Sequence, residues 1–305
     1  MKKKIIILAG GYSKEREISL LTGKEVNKAL RNNYITKLLD PKGDLIEELR
    51  KFKPDIVFNA LHGRFGEDGY IQSILESEKI KYTHSGVLSS SLSIDKEISK
   101  KIFKLNKILT PKSFKFTFNS FNNLFYLKKK IQKHLKFPVV VKPLNEGSSV
   151  GVQICNKNNL SISLKKLSNY DELLIEQYIP GKEIQAAILG KKKIGAIELI
   201  PKRKFYDYKA KYSKSANTKH VMPADISKKN YEKVNQIALK AHKLLKCRGV
   251  SRSDFRFYKN KFYLLELNTQ PGMTSLSLVP EIANFNNISF DKLLETLLKD
   301  ASINK

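Results

Sequence analysis

At 305 residues the chain is long enough to bury a large core, and its length suggests two or three domains. No apolar run approaches the roughly 20 residues that span a bilayer, so no membrane partner is expected, and the two cysteines, Cys155 and Cys247, lie in no CxxC or Cys/His cluster, which argues against a disulfide framework or zinc site and fits a reducing cytoplasm. The net charge of +28 invites a nucleic-acid partner, but lysine is spread along the whole chain and its tight runs are Lys2–Lys4, Lys128–Lys130 and Lys191–Lys193. There is no aromatic-interleaved basic stretch, helix-turn-helix or zinc-finger spacing, so no nucleic-acid role is expected, although an anionic substrate would feel the positive field.

The basic start and short apolar patch Ile5–Ala9 are shorter than a signal-peptide core, and Gly10-Gly11 ends the patch without a cleavage site. Lys3–Ala9 is expected as a buried strand, followed by a helix from about Glu15 to Arg31. Strand, glycine turn and helix open a Rossmann-like unit; a bare Gly-Gly without G-x-G-x-x-G does not specify a dinucleotide. Asp55–Leu61 is a second buried strand and runs into the glycine-rich loop His62–Gly69, at the strand end where open α/β sheets bind ligands. A helix through Ile71, Ile74 and Leu75 and a short strand at Lys81–His84 follow, implying a mainly parallel sheet.

The composition turns to Ser and Gly at Ser85–Ser93, a candidate boundary, before a Lys-rich helical segment, Ile94–Leu105. Phe137–Pro143 reads as a strand carrying Lys142, and the small-residue loop Asn145–Gly151 could expose backbone N–H groups to phosphate or be an ordinary hairpin; it is not a Walker A loop. Glu172–Tyr178, Glu183–Leu189 and Lys193–Leu199 read as strands, Tyr206–Met222 as a long loop of the kind that forms lids. Apolar residues from Tyr231 to Leu245 and from Phe290 to Leu298 recur at helical spacing.

Ser251–Tyr258 and Lys261–Asn268, split by Lys259-Asn260, read as a β-hairpin. A turn centred near Asn260 sets Asp254 opposite Glu266 and Arg252 opposite Asn268, all on one face. Facing carboxylates repel, and a divalent cation would remove that cost; carboxylate and amide oxygens suit Mg²⁺. A solvated acidic face with an adjacent Arg salt bridge is the alternative.

Taken together, GGYSKEREISL, ALHGRFGEDG, DKEISK, VVVKPLNEGSSVGV, EQYIPGKE, YDYKAKY, SRSDF and LLELNTQPGMTSLSLVP, in that order over nearly the whole chain, resemble the D-alanine–D-alanine ligases of the ATP-grasp class. The resemblance implies an α/β protein whose ATP-grasp part is α+β: a Rossmann-like N-terminal domain (1–88), then a two-lobed ATP-grasp domain with a central lobe (89–178) and a C-terminal lobe (179–305). It implies a cytoplasmic enzyme of peptidoglycan precursor synthesis, a homodimer, that joins two D-alanines through an acyl phosphate with ATP and two Mg²⁺ (or Mn²⁺).

In that resemblance Asp254, Glu266 and Asn268 hold the metals. Arg252 and the Gly272 N–H stabilise the acyl phosphate and oxyanion. Lys96 and Lys142 meet ATP phosphates, the lid residue Lys211 belongs to the ATP site, Glu176 reads the adenine end and Glu183 the ribose. Glu15 and His62 face the ammonium of the first D-alanine, and Ser277 and Leu278 receive the carboxylate of the second. Tyr212 bonds with Ser148 and Glu15 to close the site, and a tyrosine there favours an amine acceptor. Ser73 departs from a usual glycine. Ser253 departs from a usual aliphatic residue and is expected to point away from the metal ligands. Another ATP-grasp ligase with a different amino-acid or hydroxy-acid acceptor stays open, as does, from a different class, a basic nucleic-acid-binding protein that keeps the fold.

Overall fold

In the computed structural model, which describes residues 2–118, 124–147, 150–201, 218–274 and 277–303, the first element is a strand for a simple reason. Ile5–Leu8 are β-branched or aliphatic and 0% exposed on both faces, the signature of a parallel strand covered on two sides. This strand, β1 (Lys4–Leu8), pairs in parallel with β2 (Ile35–Leu39) and β3 (Ile56–Asn59), and β4 (Lys81–Tyr82) completes the order β2-β1-β3-β4. Helix α1 (Arg16–Leu30) packs close to β1 because Gly23 has no side chain: a Cβ there would lie 2.4 Å from the Ala9 Cβ.

The Ser- and Gly-rich stretch Ser85–Ser93 largely forms helix α4 (Val87–Ile94), after α2 (Leu45–Phe52) and α3 (Tyr70–Ser77). Its serines are buried pins: Ser89 Oγ donates to the Lys246 carbonyl at 2.7 Å, and Ser93 Oγ donates to the Leu267 carbonyl. These serines form a polar seam against a distant part of the chain. Asp95 caps the next helix, α5 (Lys96–Leu105), by accepting from the N–H groups of Glu97 and Ile98.

A second sheet, β5-β8-β6-β7, is antiparallel and joins Ser113–Thr117 (β5), Glu172–Gln177 (β8), Val139–Pro143 (β6) and Gln153–Cys155 (β7). Helices α6 (Leu124–His134) and α7 (Leu160–Lys166) bury Leu127, Ile131 and Leu164 in its core. The third sheet has the order β11-β10-β9-β12-β13, from Lys219–Val221 (β11), Lys192–Ile200 (β10), Lys182–Leu189 (β9), Val250–Tyr258 (β12) and Lys261–Asn268 (β13). Helix α8 (Lys228–Leu244) covers one face of it through Val234, Ala238 and Ala241.

The other face shares one core with the first sheet. Ala187, Ile197 and Val250 pack with Ile5, Phe58 and two C-terminal helices, α9 (Leu278–Phe285) and α10 (Phe290–Asp300). The chain end returns to the first sheet through the bridge Tyr82↔Ser302, beside which Arg248 stacks 4.5 Å from the Tyr82 ring. Among the described residues no helix is long and apolar enough to cross a membrane.

Candidate active site

The hairpin of β12 and β13 has the register expected of it. Arg252 pairs with Asn268 and Asp254 with Glu266. Lys259 and Asn260 both take positive φ (47° and 60°), the requirement of a two-residue type I′ turn. A bulge between Asp254 and Phe255 then shifts the pairing, so Phe255 meets Leu264. The bulge lies beside Asp254, where bulges commonly re-aim a side chain.

Charge on this face is tightly managed. Arg252 grips Asp254 with two bonds, Nε to Oδ1 at 2.7 Å and Nη2 to Oδ2 at 3.0 Å. Lys96 Nζ lies 3.8 Å from Glu266 Oε2 and donates to the carbonyls of Leu144 and Glu146. Burial and the neighbouring Lys142 ammonium push the Lys96 amine below its usual range against the pull of Glu266. Glu183, two residues from Gln185 on β9, meets Arg256 at 3.5 Å.

One cavity between the second and third sheets is lined by Lys96, Lys142, Glu176, Glu183, Asp254 and Glu266, with apolar walls that include Val140, Ile179 and Leu265. The central carboxylate is Glu176, held at 2.8 Å by Lys142 on one oxygen and at 2.8 Å by Lys100 on the other. Burial would raise its pKa, but the two ammonium groups outweigh burial and hold Glu176 below the ordinary carboxylate value. Conversely, burial would lower Lys142, and the Glu176 and Glu266 charges raise it.

A second polar group lies at the C-terminal ends of β1 and β3. His62 Nδ1 is 3.2 Å from Glu67 Oε1, and its Nε2 is 3.2 Å from Thr22 Oγ1, so both ring nitrogens are engaged. Burial would lower His62, yet the Glu67 bond and charge and the Glu15 charge outweigh it and raise the pKa. Glu15 is 3% exposed, and a Cβ on Gly147 would come within 2.8 Å of its Oε2, so the loop after β6 reaches this cluster.

Asn268 ties the two groups together. Its Oδ1 accepts from the Gln270 N–H at 2.7 Å, and the Gln270 side chain accepts from Asn59 Nδ2 at 2.7 Å and donates to the Leu61 carbonyl. Farther along, Ser277 Oγ accepts from the Thr274 N–H at 3.0 Å and stands just before helix α9, whose first residue is Leu278. The Gly272 backbone lies against this hydroxyl: a Cβ would sit 2.8 Å from Ser277 Oγ. Bare backbone and a helix N-terminus both favour an oxyanion or carboxylate.

Asp254, Glu266 and Asn268 supply two carboxylates and an amide oxygen from one face. Hard oxygen donors of this kind fit Mg²⁺, which commonly takes one or two carboxylates and completes its shell with water and phosphate oxygens. Among the described residues there is no cluster of three or more His, Cys, Asp or Glu side chains that could hold a metal ion.

A family model for the "D-ala D-ala ligase C-terminus" matches residues 110–299. Across all of both chains (100% and 100%) the protein is 62% identical to a D-alanine–D-alanine ligase from Pelagibacter ubique. The chain belongs to the D-alanine–D-alanine ligase family. Its fold matches that of the family's enzyme from Bacillus anthracis in complex with ATP, at TM-score 0.84 and 35% identity over 98% of this chain and 97% of that one. A D-Ala:D-Ser ligase from Enterococcus faecalis also aligns, at TM-score 0.82 and 28% identity over 98% of this chain and 99% of that one. The α/β architecture with ATP-grasp sheets is therefore the family's.

Of the residues expected in such a ligase site, Lys96, Lys142, Glu176, Glu183, Asp254 and Glu266 share one cavity. Arg252 and Asn268 stand beside them in register, whereas Glu15 and His62 form the separate N-terminal cluster. Gly272, Ser277 and Leu278 line up along the approach to α9. Ser148, Lys211 and Tyr212 lie outside the described residues. Sequence reasoning passed over Glu67, Gln270 and Lys100. Glu67 stood in the same HGRFGEDG loop as His62, and Lys100 is one helical turn beyond Lys96 in DKEISK, so both had a visible signal.

Proposed function

We propose that this protein joins two D-alanines to D-alanyl-D-alanine, with cleavage of ATP to ADP and phosphate, for peptidoglycan precursor synthesis. Full-length identity of 62% to a D-alanine–D-alanine ligase carries the reading. The hairpin trio with its adjoining cavity supports it physically.

A carboxylate is a poor electrophile. The first D-alanine's carboxylate oxygen attacks the γ-phosphorus, ADP departs, and the acyl phosphate that forms has a leaving group. The second D-alanine's amine then attacks the acyl carbon, loses a proton, and the tetrahedral intermediate expels phosphate as the amide forms. Glu15 accepts from the ammonium of the first D-alanine. His62, with both ring nitrogens engaged, sets the charge of that pocket from beside it. Arg252 and the Gly272 N–H receive the negative charge that develops on acyl oxygen and phosphate. Ser277 and the amide at Leu278 take the second carboxylate.

Lys96 and Lys142, joined by Lys211, contact the phosphates; Glu176 meets the adenine edge and Glu183 the ribose hydroxyls. Asp254, Glu266 and Asn268 would hold two Mg²⁺ (or Mn²⁺), which when bound neutralise β- and γ-phosphate charge. Tyr212 and Ser148 close over Glu15. We assign three units, 1–88, 89–178 and 179–305, a homodimer, and a cytoplasmic location consistent with two free cysteines, Cys155 and Cys247.

The similarity to a D-Ala:D-Ser ligase makes a hydroxylated acceptor the second reading. Phosphate release is measured with ATP, Mg²⁺ and D-alanine, beside L-alanine, D-serine and D-lactate, with products identified by mass. D-alanine-dependent release yielding the dipeptide is expected. Turnover with D-serine or D-lactate in place of D-alanine as acceptor would keep the mechanism and replace the substrate.

A further inference from the structure

We propose that Lys100 is a positioning residue for purine selection, holding the Glu176 carboxylate charged and aimed so that the site accepts a base with an exocyclic amine and rejects one with a carbonyl. The inference rests on the reading of Glu176 as the contact to the adenine edge.

The geometry separates two lysines that look equivalent in sequence. Both Lys100 and Lys142 lie 2.8 Å from Glu176, one on each oxygen. Lys142 lines the cavity with Glu176, so its ammonium is available to a nucleotide; Lys100 does not line it and is 2% exposed. Lys100 Nζ has no hydrogen-bond partner beyond this ion pair. It therefore acts on the cavity from behind, through Glu176. When Lys142 turns to a ligand, Lys100 is the cation left to keep Glu176 ionised.

An ionised carboxylate can only accept hydrogen bonds. It attracts the 6-amino group of adenine and repels the 6-carbonyl of hypoxanthine or guanine. In a low-dielectric pocket that sign difference is large, and it vanishes if the carboxylate takes up a proton or swings away. The groups facing Lys100 are Glu176 on β8, Lys142 on β6 and, on its own helix, Lys104. Burial, with repulsion from Lys142, pushes the Lys100 ammonium down to about 8. An uncharged side chain would avoid that burial cost, so selectivity gives a reason for a lysine here.

ITP carries a 6-carbonyl and an N1–H where ATP has the 6-amino group and a bare N1, with the sugar and phosphates unchanged, and is the probe. Steady-state kcat and KM are measured for ATP and ITP with saturating D-alanine at pH 7 and pH 9, for the unmodified protein, Lys100→Met and Glu176→Gln. In Lys100→Met the ATP-over-ITP preference in kcat/KM is expected to fall at least about tenfold through KM for ATP, with kcat within about threefold. In the unmodified protein, loss of the Lys100 proton between pH 7 and pH 9 leaves Glu176 ionised but no longer held in place by that cation, so the preference weakens as the carboxylate swings away, and in Lys100→Met it is flat.

If Glu176→Gln loses the preference and Lys100→Met keeps it, Lys100 is a packing residue and the inference is overturned. If Glu176→Gln also keeps it, Glu176 does not read the base and the underlying assignment falls. Should Lys100→Met fail to melt cooperatively, the unmodified protein decides: a preference unchanged between pH 7 and pH 9 rejects the role.

Discussion

Glu266 shows how one side chain can serve both fold and chemistry. It faces Asp254 across the hairpin and lies 3.8 Å from Lys96, so its charge is partly balanced within the protein. On the proposed role of Glu266 as a metal ligand, Glu266→Ala should lower kcat by about 100-fold or more, with the fold intact in a thermal melt. His62 carries a pH dependence of definite sign. Its folded pKa lies above the ordinary 6.5, so the stabilisation it gains from Glu67 is fully present below pH 6.5. That stabilisation is lost as pH rises through the folded pKa. Glu67→Gln keeps an acceptor and removes the charge. Urea unfolding at pH 6 and pH 8 should therefore show stability declining more in the unmodified protein than in the variant, by on the order of 1 kcal/mol.

Strand β12 divides its labour between two faces. Asp254 lines the cavity and Arg252 shares its face, while Ser253 pairs with Ala186 and Leu267 on the face that packs under α8. Ser253 is 0% exposed, and its hydroxyl has no partner. An orphan buried hydroxyl carries a desolvation cost of about 1–3 kcal/mol, so Ser253→Ala should stabilise the protein to urea by about 1 kcal/mol and leave kcat unchanged. Gln185, directly opposite Asp254 on β9, is a second such group: it is 0% exposed and neither polar atom of its amide has a partner.

At the scale of the molecule, buried neutral histidines set an acid limit. Burial, with the His62 and Arg248 charges, pushes His84 down to about 3. Burial lowers His242 to about 4. The unfolded chain takes up these protons first, so stability falls as pH drops below 6.5, toward those folded values. At about 1.4 kcal/mol per unit for each group, urea unfolding should lose on the order of 4 kcal/mol between pH 7 and pH 4.5. A loss under 1 kcal/mol would mean that neither histidine is buried neutral.

Periodicity and turn chemistry made the local elements legible. The two-residue turn at Lys259-Asn260 sets the pairing from Tyr258 and Lys261 as far as Phe255 and Leu264, and strict alternation beyond it would put Asp254 opposite Leu265; Asp254 meets Glu266 because the register shifts between Asp254 and Phe255. The bulge after Asp254 had no such local signal, since it answers to packing on both faces of the sheet. The packing of the α4 serines was not legible because their acceptors, the Lys246 and Leu267 carbonyls, are more than 150 residues away. Lys100 had a signal in its spacing from Lys96, yet its role depends on Glu176 arriving from another sheet. The sequence alone therefore determined most of the elements, the shared face of Arg252, Asp254, Glu266 and Asn268, and the family. Tertiary structure alone decided which charges meet, because an ion pair between two sheets depends on folded distance and burial, and neither is encoded in any local run of residues.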